Sequence, residues 1–277
     1  MYRTRTGLWG LTILALLVYF FLYAPILLMM VYSFNDSRLN VTWQGFTLQW
    51  YRSLWQNTHV LEALGNSLVA ALASTLLSVA LGTTAAYGFY RFRQKASRLL
   101  EGLIFIPLVV PDVVLGVSML MLFVLLDVNL GLHTITVSHS VFGTAYVAVV
   151  VRSRLATLDL NLEQAAMDLG ADWWNCFRRV IFPLILPGVV AGGLLAFTVS
   201  MDDFVVTFFT AGVGSTTLPL RIYSMLKLGV SPEVNALSTL LVIVIIFLLL
   251  ATQLVLRGGS NTDKRKRRPT INDAKNL

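Results

Sequence analysis

The sequence is poor in charge and contains one cysteine. Only 13% of its 277 residues are Asp, Glu, Lys or Arg, whereas 56% are hydrophobic, and the mean hydropathy is +0.74. So few charges cannot cover the surface of a water-soluble globule of this size. The composition therefore predicts an all-α polytopic membrane protein. The lone cysteine, Cys176, excludes a disulfide within the chain.

The motifs of catalysis are also missing. The chain has no Gly-x4-Gly-Lys-Ser/Thr loop to hold ATP phosphates and no His-Glu-x-x-His metal motif. No serine or cysteine stands in a recognisable frame with a nearby base, so we predict no catalytic residues. His133 and His139 lie close together, but no carboxylate or cysteine accompanies them at ligand spacing. We therefore predict packing or polar contacts for both histidines and no metal site, although a metal site is the alternative.

Six long apolar runs are present, each with the roughly 20 residues that a helix needs to cross the hydrocarbon core. They predict six transmembrane helices, at about 7–34, 63–90, 102–127, 134–156, 181–210 and 233–256. Residues 7–256 then form one transmembrane domain between a short N-terminal segment, 1–6, and a basic tail, 257–277. The second run is rich in small residues, which predicts burial against other helices. Pro107 and Pro111 predict a break or kink in the third.

The basic residues predict the orientation. All but four of the 21 Lys and Arg residues lie in the two termini and the loops after runs 2 and 4. The positive-inside rule places these parts, and both termini, in the cytoplasm. The run Lys264–Arg268 is better explained as a basic flank that fixes topology than as a nucleic-acid site, so we expect no nucleic-acid partner.

A polar segment at 160–180 interrupts the apolar runs. Its apolar positions recur at helical spacing, and its polar residues fall largely on the other face. Gly170 interrupts the pattern, and Asp172 is placed to cap a second short helix. From periodicity alone, the segment could equally be an ordinary amphipathic interfacial helix. The polar residues of this face are Glu163, Gln164, Asp168, Asp172 and Asn175.

The residues of this segment resemble the EAA loop of permease subunits of bacterial ABC importers. Gln164-Ala165-Ala166 is followed by Gly170 and, after nine more residues, by Val180, Phe182 and Pro183. Gln164 stands where that family usually has Glu. The resemblance implies a type I importer permease (MetI-like) fold, and it implies a coupling helix that docks on an ATPase dimer on the cytoplasmic side. The coupling residues that it implies are Glu163, Gln164, Ala165, Ala166, Asp168 and Gly170.

Three acids lie well inside the apolar runs: Asp112, Asp202 and Asp203. A charged residue at mid-bilayer costs roughly 2.5–3.5 kcal/mol, so it normally faces a pathway or a partner. Asp202 and Asp203 are predicted to lie about 100° apart on one helix, ~30 Å from its cytoplasmic end and in the outer half. No basic residue of the spans is available to neutralise them. The alternatives are helix capping for Asp112 and a bond to a neighbouring helix for the pair.

Acids with aromatic neighbours such as Phe204 suit a cation. Several stretches extend the resemblance to essentially the whole chain: Glu163–Ala171, Pro111–Gly116, Asp202–Phe204, Thr216–Pro219 and Ser231–Leu237. They are similar to the second permease of spermidine/putrescine importers. That resemblance implies a substrate pathway for polyamines lined by Asp202, Asp203, Asp112 and Phe204.

The same resemblance implies the partners and the location. A second, homologous permease would complete a heterodimer in the bacterial inner membrane, and a periplasmic substrate-binding protein would deliver the substrate. ATP and Mg²⁺ would be bound by the partner ATPase, and this chain would hold no cofactor of its own.

Two other functions stay open at this stage. The chain could be an importer permease for a ferric ion, an oxyanion or a sugar. It could also be a self-sufficient ion-coupled carrier that uses the three acids, although such carriers commonly show an internal inverted repeat and none is visible. A membrane enzyme or scaffold is disfavoured because the catalytic motifs are missing.

Overall fold

The computed structural model describes residues 5–37, 42–92, 95–159, 161–227, 229, 231–244 and 246. These residues are mostly helical, as predicted. The helices are α1 (Arg5–Tyr32), α2 (Gln49–Gln56), α3 (Thr58–Arg91), α4 (Lys95–Phe105), α5 (Asp112–Leu125), α6 (Leu132–Leu155), α7 (Asn161–Asp168), α8 (Trp173–Cys176), α9 (Phe182–Asp202), α10 (Val205–Thr210), α11 (Leu218–Lys227) and α12 (Pro232–Val244). A 3₁₀ turn, Ile106–Leu108, follows α4, and a π-helical segment, Phe177–Ile181, joins α8 to α9.

Four described helices are long and apolar enough to cross a membrane: Trp9–Tyr32, Thr58–Arg91, Leu132–Leu155 and Trp173–Asp202. They correspond to predicted spans 1, 2, 4 and 5. The predicted sixth span begins as α12, but its second half, the basic tail and residues 1–4 lie outside the described residues. The count of six therefore stays a prediction.

The third apolar run is broken, as its two prolines predict. Leu100–Leu108 and Asp112–Leu125 meet at 112° across a break at Pro111. Pro111 has no N–H to continue a helix, and its backbone is extended where α5 begins. Counted as one span, this bent pair is a fifth membrane crossing. The boundary prediction of one span over 102–127 thus covers two helices that point in different directions.

The fifth apolar run departs from prediction at both ends. The coupling segment was expected to end in a separate short helix, but Trp173–Asp202 forms a single apolar helix that runs through the π-helical segment. At its other end the helix stops at Asp202, and Asp203 has extended backbone angles. The predicted span 181–210 is therefore two helices, α9 and α10, with a break between them.

The chain forms two compact units, Asn57–Ser224 and Met1–Gln56 with Met225–Leu277. The centre of the first unit is the packing of α3, α6 and α9. Ala86, Val147, Val151 and Ile185 are buried together there. Small residues of α3 lie on the buried side, as predicted. This unit contains every residue predicted for the substrate pathway or for coupling.

In the second unit, Asn35 organises the loop after α1. Its amide nitrogen donates to the Thr42 carbonyl at 2.8 Å, and its side-chain oxygen accepts from the Gln44 N–H at 2.9 Å. Its own carbonyl accepts from the Trp50 indole N–H at 2.8 Å. This fully buried asparagine therefore attaches the loop to α2.

Two glycines of α3 allow a test of the close helix packing. A Cβ added at Gly82 would lie 2.7 Å from the Thr144 carbonyl oxygen and 2.8 Å from the Val147 Cβ, whereas one added at Gly88 would meet nothing within 4 Å. Gly82→Ala should therefore destabilise the protein by about 1–3 kcal/mol, because α6 must move away. The matched Gly88→Ala should be neutral or stabilising by up to about 1 kcal/mol. Thermal unfolding of the purified protein in detergent measures both, and equal midpoints for the two variants would contradict the close packing.

Candidate functional site

Two helix breaks lie beside one cavity of about 360 Å³. One is the break between α4 and α5, and the other is the break between α9 and α10. The cavity is lined by Pro107, Leu108, Val110, Asp112, Phe142, Tyr146, Thr198, Val199, Asp202, Asp203, Phe204 and Val205. All four residues predicted for the substrate pathway are among them. The structure thus gathers these residues around one space.

The sequence predicts Asp202 and Asp203 on one helix, and this prediction is wrong, because α9 ends at Asp202. Asp202 is the last residue of α9 and its side chain is exposed. Asp203 follows the end of the helix, and its side chain is only 9% exposed. The two neighbouring carboxylates therefore have different surroundings.

His139 of α6 is bonded to Asp203. Its Nε2 lies 3.2 Å from Asp203 Oδ2 and 2.9 Å from Thr207 Oγ1, and its Nδ1 lies 2.6 Å from Ser200 Oγ. The statement that no basic residue of the spans reaches the pair is therefore wrong for Asp203. Asp203 instead makes a hydrogen bond to a neighbouring helix, which is the alternative that the sequence left open. His139 makes polar contacts, as predicted, and the described residues contain no group of His, Cys, Asp and Glu arranged to hold a metal ion.

Asp203 also stabilises the start of α10. Its Oδ2 accepts from the Thr207 N–H and the Thr207 hydroxyl, both at 2.8 Å, and its Oδ1 accepts from the Val206 N–H at 3.3 Å. The first N–H groups of a helix have no partner within the helix, so an acceptor here replaces water that the hydrocarbon region cannot supply. The carboxylate of Asp203 therefore holds the second half of the broken span.

Asp112 and Phe204 complete the cavity wall. Asp112 is the first residue of α5, where its negative charge is favoured by the positive end of the helix. The centre of the Phe204 ring lies 5.7 Å from that of the Phe208 ring and 4.7 Å from that of the Tyr223 ring. The wall thus combines two exposed carboxylates, those of Asp112 and Asp202, with an aromatic cluster.

The predicted coupling residues lie on α7 and the turn that follows it. Gly170 has φ +84°, a left-handed angle that favours glycine, so it ends α7 and turns the chain. Asp172 accepts from the Asn175 N–H at 2.9 Å and caps α8, as predicted. Gln164, Ala165 and Asp168 are exposed, whereas Ala166 is buried against the core of the first unit.

Glu163 departs from its predicted place on the polar, outward face. It is buried and forms an ion pair with Arg91 at the end of α3. Next to this pair, the Tyr87 ring lies 4.7 Å from that of Phe177 and 6.3 Å from that of Trp173. Glu163 therefore attaches α7 to the end of α3. The apolar stripe is also less buried than expected, since Leu169 is 90% exposed.

The sequence did not reveal that His139 contacts Asp203 or that Arg91 pairs with Glu163. In the case of His139 a signal was available: buried Thr134 and Ser138 lie on the same helix at helical spacing. Polar side chains that recur on one face of a membrane helix need partners inside the protein. Arg91 is the last residue of α3, and no sequence pattern pairs it with Glu163, 72 positions away.

The chain is similar in sequence to transport proteins. Residues 78–258 match the model of the family described as "Binding-protein-dependent transport system inner membrane component". The chain is 42% identical over 240 residues to the spermidine/putrescine transport system permease protein PotC of Escherichia coli K12, covering 87% of this chain and 91% of that one. It is 44% identical over 241 residues to the putrescine transport system permease protein PotI of the same organism, covering 84% and 85%.

Solved structures agree on the fold. A bacterial ABC transporter that imports the acidic polysaccharide alginate matches with TM-score 0.69 at 16% identity, over 93% of this chain and 98% of that one. The MetNI methionine ABC transporter matches with TM-score 0.62 at 19% identity, over 75% and 97%. At these identities the likeness concerns the fold alone, and it is the fold expected of a type I importer permease. From its sequence, this chain belongs to the family of inner-membrane components of binding-protein-dependent transport systems.

Proposed function

We propose that this chain is the permease subunit of an ABC importer that forms half of a translocation pathway for polyamines. The observation that supports a polyamine as the substrate is the cavity at the two helix breaks. There the exposed carboxylates of Asp112 and Asp202 lie beside Phe204. Two carboxylates suit the two ammonium groups of a diamine, and an aromatic ring adds cation–π attraction. The PotC and PotI relatives support the same substrate class.

The end of α9 adds negative character to the cavity, whereas the positive starts of α5 and α10 carry the carboxylates of Asp112 and Asp203. The last carbonyl groups of α9 have no partner within that helix, and the C-terminal end of a helix carries a partial negative charge. In membrane transporters, the C-terminal ends of broken helices commonly hold cations for this reason. The exposed carboxylates of Asp112 and Asp202 would repel an anion and would form no ion pair with a neutral sugar. The cavity therefore favours polyamines over the other importer substrates.

We further propose that α7 docks on the ATPase. The exposed residues Gln164, Ala165 and Asp168, together with the exposed Leu169, form a small surface that projects from the first unit. Arg91 and the Tyr87 ring hold the other side of the segment to α3. A movement of the docked ATPase would therefore reach α3 and α9 directly. ATP and Mg²⁺ belong to that partner, and a second permease and a periplasmic binding protein complete the system.

Removal of the charge at Asp202 tests the proposal that the substrate is a polyamine. Asp202→Asn keeps the shape and removes the charge, so polyamine uptake should fall about tenfold or more, which corresponds to about 1.4 kcal/mol. Uptake of labelled putrescine and spermidine is measured in vesicles that contain the assembled importer and ATP. Thr198→Val, at a polar but uncharged position of the same cavity, is the control and should change uptake little. Unchanged uptake by an assembled Asp202→Asn importer would remove the physical support for a polyamine.

A substitution at the Gly170 turn tests the proposal that this segment couples ATP hydrolysis to uptake. Proline cannot adopt φ +84° and has no N–H for the bond that Gly170 donates to the Met167 carbonyl, 2.9 Å away. Gly170→Pro should therefore reduce uptake at least about tenfold while ATP hydrolysis continues, because the docking segment loses its shape. Gly170→Asn is the matched control, since asparagine tolerates left-handed angles. The ratio of substrate imported to ATP hydrolysed is the measurement, and equal ratios in both variants would contradict the docking role.

Both termini and α7 are proposed to lie in the cytoplasm, in agreement with the distribution of Lys and Arg. Reporter fusions after Asp159 should be active only in a cytoplasmic reporter, and fusions after Asn57 and Asn129 only in a periplasmic one. One stable fusion with the opposite activity would contradict this orientation.

A further inference from the structure

A chain of buried polar groups crosses the core behind the cavity. Ser74 of α3 lies 3.1 Å from Ser200 of α9, between hydroxyl oxygens, and Ser200 lies 2.6 Å from His139 Nδ1. The other ring nitrogen faces Asp203 and Thr207. The exposed fraction is only 1% for the His139 side chain and 9% for that of Asp203. The network therefore links three packed helices to the break between α9 and α10.

The hydrogen bonds of this network determine which ring nitrogen of His139 carries a hydrogen towards Asp203. Ionised Asp203 has no hydrogen to donate, so His139 Nε2 must carry the hydrogen that points at Oδ2. Oδ2 also accepts from the backbone and the hydroxyl of Thr207, and Oδ1 accepts from the Val206 N–H. Both oxygens of Asp203 are thus engaged by the protein itself.

Asp202 differs from its neighbour in this respect. Its side chain is exposed, and the described residues offer it no hydrogen bond or ion pair. Asp112, on the other side of the cavity, is likewise exposed and without a polar partner in the described part of the chain. Of three acids that line one cavity, only Asp203 has its bonding capacity filled.

We propose that His139 is a positioning residue for import: it holds Asp203 as the structural acid of the helix break, so that recognition of the cationic substrate falls to Asp202. This inference rests on the proposed function for the identity of the substrate. The charge of Asp203 is then compensated by His139 and the start of α10 and is not used on the substrate. What transport needs at position 203 is a hydrogen-bond acceptor, and what it needs at position 202 is a charge.

The energetics favour this division. Removing the donor of a buried hydrogen bond leaves its charged acceptor unsatisfied, whereas replacing both partners by uncharged groups is often nearly neutral. Asparagine at 203 keeps an oxygen for His139 and Thr207 and is itself a good acceptor at a helix start. Asp203→Asn is therefore the conservative change, and His139→Leu is the disruptive one.

Five variants of the complete importer test the inference: Asp202→Asn, Asp203→Asn, His139→Leu, His139→Gln and the double variant His139→Leu/Asp203→Asn. Each is purified with its partner subunits, and maximal putrescine uptake and ATP hydrolysis are measured in vesicles with saturating binding protein. His133→Leu is the matched control, since His133 is exposed on the same helix and lies outside the network.

Asp203→Asn should transport within about twofold of the unmodified importer, because its acceptor remains. His139→Leu should lower uptake at least about tenfold, because it leaves a buried carboxylate without its partner. His139→Gln, which keeps a donor towards position 203, should retain more uptake than His139→Leu. The decisive result is the double variant, which should transport several times better than His139→Leu, since no buried charge is left.

An assembled Asp203→Asn importer as impaired as Asp202→Asn would overturn the inference, because the charge at 203 would then act on the substrate. A double variant no better than His139→Leu would also overturn it. If His139→Leu does not assemble, the yield of assembled complex replaces uptake as the readout, and the double variant must restore it or the inference fails. If rescue occurs but Asp202→Asn imports putrescine normally, the role of His139 towards Asp203 stands and the polyamine assignment fails.

Discussion

The hydrocarbon core of a membrane supplies no water to backbone polar groups, and this constraint explains where the breaks of this protein lie. A helix that ends inside the membrane leaves N–H and C=O groups that the protein must satisfy itself. The break between α9 and α10 is satisfied by Asp203, which binds the first N–H groups of α10 and is in turn held by His139. The break before α5 occurs at Pro111, which has no N–H to satisfy. Both breaks border the same cavity, so the interrupted helices and the polar space belong together.

One helix connects the segment beside α7 with the cavity. Trp173–Asp202 runs without a long interruption from the segment beside α7 to the carboxylate at the cavity. At 1.5 Å per residue it spans about 45 Å. The close approach of α3, α6 and α9, made possible by residues such as Gly82, Gly143 and Gly192, fixes this helix in a tightly packed core. The aromatic contacts of Tyr87 and the pair of Arg91 with Glu163 attach the other end of the same core to α7.

The two adjacent acids show how tertiary context gives different roles to identical side chains. Asp202 and Asp203 have the same chemistry and nearly the same depth along the chain. The end of α9 between them turns one towards the cavity and the other into the core. A buried carboxylate is stable only with donors around it, and Asp203 has four: His139, the N–H and hydroxyl of Thr207, and the N–H of Val206. Asp202, in contrast, stays exposed at the cavity.

The sequence by itself determined the membrane class, the apolar runs, the break at Pro111, the turn at Gly170 and the family, because each depends on local composition or on motifs with fixed spacing. It also identified the acids of the cavity, since a charge in an apolar run is conspicuous. It did not determine the end of α9 at Asp202, the bond of His139 to Asp203 or the burial of Glu163 against Arg91. The two pairs join residues 64 and 72 positions apart, which meet only when their helices pack together. Only the tertiary structure decides which polar groups in a low-dielectric core contact each other, and so which acid is bonded within the core and which stays exposed at the cavity.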